Sequence, residues 1–242
     1  MKFGICCPAE SAADAIAAGF DYAEVAAATL PEKVAMLEGL PIDATNLFFP
    51  GSFRLFEPTV GDYIGHAVSV IEAAARLHTQ VMVIGSGAQR TSGPGVEPEA
   101  GLERFVEIVA EIAEVAFAHG ISIAPESLTR DETNVANDLP TMAFALQKRG
   151  LGYTADSFHV LRECFHEGIE PDWSAQVPFA PTHVHFADLP RNVPALDDHA
   201  VLGFFARLKE LGYDSRISFE GSLGMFELRA AGDQIRTLWE SA

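Results

Sequence analysis

The chain has 242 residues, 48% hydrophobic and 21% charged, an ordinary balance for a globular protein with one large core. Against 34 Asp and Glu stand only 16 Lys and Arg, a formal charge of −18 that argues against a nucleic-acid backbone as partner. No uncharged apolar stretch approaches the roughly 20 residues of a membrane-spanning helix, so a membrane partner is not expected either.

Short β-type runs recur along the chain at 2–7, 20–25, 43–49, 80–85, 121–126, 151–156, 182–187 and 216–220. Between them lie helical segments. In 97–118, Leu102, Phe105, Val106, Val109, Ile112, Ala113 and Ala116 form one stripe at three- and four-residue steps, with Glu103, Glu107, Glu111 and Glu114 on the solvated faces. That helix should end at His119-Gly120, where glycine supplies a left-handed turn, and the same punctuation recurs at Gly19, Gly150 and Gly212. Strand–helix alternation predicts a parallel sheet, and eight units predict an α/β fold, a (β/α)8 TIM barrel, as one domain over 1–242. The first strand begins almost at the N-terminus, without signal-peptide anatomy. Cys6, Cys7 and Cys164 make neither a disulfide framework nor a zinc pattern, so buried free thiols and a cytoplasmic setting are expected.

Four of the runs close on an acid or an imidazole. Glu126, Asp156, His185 and Glu220 are separated by 30, 29 and 35 residues, about one strand-plus-helix unit each. Side chains at the carboxyl ends of barrel strands converge, and three carboxylates converging in a low dielectric repel one another unless a cation joins them. An N/O donor set of this kind suits Mn²⁺, Mg²⁺, Co²⁺ or Zn²⁺. Each residue has a plainer alternative, such as a surface strand end for Glu126 or a helix N-cap for Asp156.

Around these four lie further candidates. The loop after Glu126 offers Arg130 and Glu132 to a substrate. His159 follows Asp156 by one helical turn. His183 and His185 share one strand face, with His183 deeper as support, and Arg191 follows on the next loop. The turn Gly85-Ser86-Gly87-Ala88-Gln89-Arg90 offers backbone N–H groups and Arg90 to a ligand, or is simply a tight strand-to-helix turn.

These motifs together resemble the xylose-isomerase-like barrel superfamily, nearest to its D-tagatose 3-epimerase and hydroxypyruvate isomerase branch. The pattern Glu-x-x-x-Arg-x-Glu-Thr falls on Glu126, Arg130, Glu132 and Thr133; Asp-Ser-x-His falls on Asp156, Ser157 and His159. His-x-His followed by Arg falls on His183, His185 and Arg191, and the final Gly-Tyr and Glu fall on Gly212, Tyr213 and Glu220. The resemblance implies that Glu126, Asp156, His185 and Glu220 hold one divalent ion. Manganese is the expected metal, with magnesium, cobalt and zinc as alternatives. It implies that Glu126 and Glu220 exchange a proton with carbon, while His159 and Arg191 hold the substrate oxygen that becomes negative. The expected activity is a cytoplasmic keto-sugar isomerase or epimerase working through a metal-bound enediolate, with a sugar as small-molecule partner and a homodimer kept open.

A keto-sugar or keto-inositol lyase would use the same first step. An AP endonuclease shares the barrel, but the strand ends at Phe48-Phe49 and Ser86-Gly87 lack the extra histidines of its zinc cluster; Asp197 and His199 resemble one of its ligand pairs. The chain departs from the epimerase pattern at 193–199, where Val-Pro-Ala-Leu-Asp-Asp-His replaces a Pro-Gly-x-Gly stretch.

Overall fold

A computed structural model of the chain describes residues 1–57, 62–224 and 226–242. Eight strands are present: β1 (Lys2–Cys6), β2 (Tyr22–Ala26), β3 (Ala44–Asn46), β4 (Val81–Ile84), β5 (Ser122–Pro125), β6 (Thr154–Asp156), β7 (His183–Phe186) and β8 (Arg216–Phe219). The α-helices are α1 (Ala12–Ala17), α2 (Leu30–Leu37), α3 (Tyr63–Arg76), α4 (Gly87–Arg90), α5 (Pro98–Phe117), α6 (Leu139–Gln147), α7 (Ser157–Glu167), α8 (Trp173–Gln176), α9 (His199–Glu210) and α10 (Leu228–Ser241). Strand neighbours run β5-β4-β3-β2-β1-β8-β7-β6, and every ladder is parallel. The two ends meet through a bridge between Glu126 and Thr154 and a bond from Thr154 Oγ1 to the Ala124 carbonyl at 2.9 Å, which closes a TIM barrel.

The longer helices pack an apolar stripe on the outside of the barrel. In α5, Phe105, Val106, Val109, Ile112 and Ala116 of the predicted stripe are buried, Leu102 and Ala113 are partly buried, and Ile108, outside the stripe, is buried as well; Pro98 starts the helix where its missing N–H costs nothing. Removing most of Ile112 as alanine would cost about 2–5 kcal/mol by leaving a cavity in this layer. The helix ends at Gly120, whose φ of 70° lets Ile121 N reach back to the Ala116 carbonyl at 3.1 Å and turn the chain into β5. Gly212 does the same for β8, with φ 70° and Tyr213 N on the Leu208 carbonyl at 3.0 Å.

The barrel interior is filled in layers. At the amino end, Tyr22, Ala44, Val81 and Ala124 form their own buried cluster. The Tyr22 ring occupies the space a side chain at position 4 would need, since a Cβ on Gly4 would lie 2.2 Å from its Cζ. Above this plug the interior turns polar, and the carboxyl ends of the strands carry the site.

One expectation about elements needs correction. The strand expected over 43–49 is only Ala44–Asn46, because Leu47 adopts φ 44°, outside the extended region, and breaks the ladder. The glycine-rich segment after β4 contains one short helical turn, α4, preceded by Ser86 in the left-handed region.

Candidate active site

Register brings the four strand-end residues together. Asp156 pairs with His185 across β6 and β7, and His185 pairs with Ser218 across β7 and β8, two residues before Glu220. Glu126 N and Glu220 N continue the sheet by donating to the Ile84 and Phe186 carbonyls, both at 3.1 Å. One donor atom each from Glu126, Asp156, His185 and Glu220 lies within 4.8 Å of all the others. His185 Nδ1 sits 2.8 Å from Glu126 Oε1 and 3.0 Å from Glu220 Oε2.

Asp156 caps a helix with one oxygen and turns the other toward the cluster. Its Oδ1 accepts from Phe158 N at 2.8 Å and caps α7, while its Oδ2 is buried without a hydrogen-bond partner. Glu220 Oε2 is likewise buried and accepts no hydrogen bond, though it stands in ion-pair contact with His185 and Arg191. Buried carboxylate oxygens without a hydrogen bond are costly, and two of them facing one imidazole nitrogen fit the coordination of a divalent cation. Burial and the charges of Glu126 and Glu220 push the Asp156 carboxyl well above its ordinary pKa. Burial also opposes charge on Glu126, but His185, His159 and Arg191 outweigh it and hold that carboxyl below the usual range.

Directly beneath lies a residue that the sequence reading passed over. Glu24, in the middle of β2, is completely buried. His185 Nε2 lies 2.9 Å from its Oε1; His183 Nε2 lies 2.9 Å and Ser218 Oγ 2.6 Å from its Oε2, and Tyr22 OH adds a 2.7 Å contact to Ser218. A carboxylate on Nε2 fixes the proton there and leaves the Nδ1 lone pair facing the cluster, available to a cation. Burial works against a charge on His185, but Glu24, Glu126 and Glu220 prevail and raise its pKa well above the ordinary value. His183 supports from below, as its place in the strand suggests. The available signal was an acid inside an apolar run, on the same strand face as Tyr22.

A cavity of about 770 Å³ opens above the cluster, lined on this side by Glu126, Glu132, His159, Arg191 and Glu220. Arg191 Nη2 is 3.2 Å from Glu220 Oε2 and its Nη1 is 3.6 Å from Glu132 Oε1. The guanidinium lies over the Phe158 ring at 4.6 Å. Its loop is laced to the segment after β8 by Ser222 N on the Arg191 carbonyl at 2.7 Å, an approach that Gly221 permits because a Cβ there would lie 2.5 Å from the same oxygen. His159 Nε2 is 3.5 Å from Asp156 Oδ2, and its buried Nδ1 has no partner. Burial lowers its pKa to about 4, so near neutral pH it is an uncharged imidazole. Gly85 gives the Glu126 carboxylate its room, since a Cβ there would meet Oε2 at 2.8 Å.

Other expected residues lie elsewhere. Arg130 is turned outward: its backbone N and Nε donate to Glu163 at 2.6 and 2.8 Å and Nη2 donates to Glu167 at 2.7 Å, so it is no part of the cavity wall. The acidic outer face of α7 offers it two carboxylates, while Glu132, two residues on, faces inward. Arg90 is fully buried behind the site and does not touch the cavity. Its Nη1 donates to the Glu126 carbonyl at 2.6 Å, its guanidinium lies 4.8 Å from the Phe105 centroid, and burial lowers its pKa to about 10. It braces Glu126 rather than a ligand. Asp197 and His199 are exposed at the start of α9, outside the donor cluster. Cys6 and Cys7, expected to be buried, are free and only partly buried, and both line the cavity; Cys164 is buried.

The sequence matches the family described as xylose isomerase-like TIM barrel over residues 9–237. No curated protein matches the chain. Among solved structures it is similar to D-allulose 3-epimerase from Methylomonas in complex with D-allulose, with a TM-score of 0.78 and 18% identity over 100% of this chain and 97% of that one. It is also similar to a D-psicose 3-epimerase determined in the presence of D-fructose, at TM-score 0.77 and 17% identity, covering 100% and 98% of the two chains. A 3-keto-D-glucoside 4-epimerase from E. coli aligns at TM-score 0.73 and 18% identity over the full length of both chains. At these identities the likeness is one of fold. Among the described residues no helix is long and apolar enough to cross a membrane.

Proposed function

This chain belongs to the xylose isomerase-like TIM barrel family, and from that premise we propose that it is a divalent-metal-dependent keto-sugar isomerase or epimerase. The observation that carries the reading is the rim cluster: four N/O donors within 4.8 Å, two of their buried oxygens without a hydrogen bond, at the floor of a cavity of about 770 Å³. Glu126, Asp156, His185 Nδ1 and Glu220 would hold the ion, with Mn²⁺ the first choice. When bound, the ion supplies Lewis acidity that lowers the cost of removing a proton beside a sugar carbonyl.

The remaining work falls to side chains of this chain. Glu126 or Glu220 takes the proton from the carbon next to the carbonyl, and the C–H electron pair moves into an enediolate. His159, through its unpartnered Nδ1, and Arg191 stabilise the oxygen that becomes negative. Glu132 keeps Arg191 oriented from the other side. Returning the proton to the opposite face of the same carbon gives epimerisation, and returning it to the neighbouring carbon gives isomerisation.

The test is deuterium uptake. Mn²⁺-reconstituted protein in D₂O with a panel of keto-sugars should place deuterium on substrate or product carbon by NMR, with no atom lost from the product apart from the exchanged hydrogen. Glu126→Gln should lose at least about 10²-fold in exchange rate. Absence of uptake from every keto-sugar sinks the assignment, and product that has lost water or a glycosyl group marks a lyase instead.

A further inference from the structure

The cavity is larger than a free sugar needs. A hexose displaces on the order of six waters at about 30 Å³ each, roughly 180 Å³, against a cavity of about 770 Å³. The half near Glu126 and Glu220 is charged. The opposite half, along the ends of β1 to β4, is walled by Pro8, Ala26, Leu47 and Val83, with Asn46 and Gln89 as its amide groups.

Backbone strain marks that opposite half as built. Five described non-glycine residues have positive φ, and three of them line this one cavity: Leu47 at 44°, Ser86 at 50° and Arg191 at 64°. Such conformations are unfavourable for side-chain-bearing residues and gather where a site needs them. Arg191 belongs to the charged half, but Leu47 and Ser86 belong to the other. Leu47 is also 57% exposed, so an apolar side chain is held in a strained conformation with little packing gained in return.

Building on the keto-sugar reading, we infer that the substrate is a keto-sugar bearing a second, uncharged ring. The keto ring faces Glu126 and Glu220, and the second ring lies against Pro8, Leu47 and Val83, its polar edge toward Asn46 and Gln89. An apolar face with a polar edge describes both a second sugar and a substituted aromatic aglycone. A phosphate is disfavoured, because the cation among the cavity-lining residues, Arg191, is already engaged by Glu132 and Glu220.

The experiment compares four substrates sharing one keto ring, a hexopyranose oxidised to a ketone away from the anomeric carbon so that glycosylation leaves the carbonyl free: the reducing keto-hexose, its methyl glycoside, its phenyl glycoside and its glucosyl disaccharide. Mn²⁺-reconstituted full-length protein is assayed for deuterium uptake in D₂O. At least one two-ring substrate should exceed the methyl glycoside in kcat/KM by about tenfold or more, and the better of the two identifies the ring. Leu47→Gly, which relieves the strain and removes the wall, should lower the two-ring to methyl ratio by about tenfold. Uptake from one-ring substrates as fast as from both two-ring substrates overturns the subsite while leaving the proton-transfer reading standing, as does a ratio that Leu47→Gly fails to move. No uptake from any of the four, nor from free ketoses, overturns both.

Discussion

Gly85→Ala should separate fold from function at this site. An ideal Cβ at position 85 would lie 2.8 Å from Glu126 Oε2 and 3.7 Å from Leu128 Cδ2, and apart from its chain neighbours no other described residue comes within 4 Å. The backbone at Gly85 is not in the left-handed region, so alanine adopts it without strain, and the loss of unfolded-state freedom should add about 0.4–1 kcal/mol of stability. The close contact is with the tip of a flexible side chain, so the fold yields cheaply. What yields is the Glu126 carboxylate, which must retreat by about 0.6 Å to reach ordinary contact, and misplacement of that order in a preorganised site costs up to about 10²-fold. The metal-free variant should therefore melt at or slightly above the wild-type temperature, while its Mn²⁺ Kd, measured by calorimetry, rises about tenfold to a hundredfold. Unchanged Mn²⁺ affinity in a folded Gly85→Ala protein would show that Glu126 does not ligate with the oxygen that faces Gly85.

Glu24→Gln keeps the shape of the buried network but removes its charge, so Mn²⁺ affinity should fall about 10–100-fold; wild-type affinity would refute the claim that Glu24 tunes His185. In the metal-free protein the pKa values of His185 and Asp156 are both raised, and each group must give up its proton to ligate. Affinity should therefore climb with pH through and above the ordinary imidazole range, by up to about tenfold per pH unit for each proton released, and flat affinity from about pH 6 to about pH 9 would contradict this. Arg130→Ala should leave deuterium exchange unchanged, because that side chain is engaged on the outside of α7. A large loss of exchange in this variant would mean the outward loop conformation is not the working one.

The barrel was legible in the sequence because its signals are local. Apolar stripes such as that of α5 and glycines such as Gly120 and Gly212 act within one helix or turn, so spacing alone locates them. The rim cluster was legible for a related reason: a strand that ends on an acid or imidazole at each barrel unit places those side chains on one rim whatever the loops do. Strand lengths were harder to read. β3 stops at Asn46 because Leu47 leaves the extended region, a conformation that leucine's own preference does not announce.

The misplacements share another cause, competition between partners that are distant in sequence. Arg130 matches a substrate-loop motif, yet Glu163 and Glu167 on α7 satisfy it more fully than the cavity would, and nothing local to residue 130 announces them. Arg90 sits beside a glycine-rich turn that invites an anion, but the carbonyl of Glu126 and the face of Phe105 take its guanidinium into the wall. Glu24 was hidden in the opposite sense. Its strand reads as apolar, and only register shows that an inward acid on β2 must stand across from two inward histidines on β7 and a serine on β8. A buried carboxylate is tolerable only with such partners. Once His183 and His185 are read as inward, an inward acid is what the barrel interior requires. The same logic asks of any barrel with paired inward histidines which strand supplies the acid beneath them.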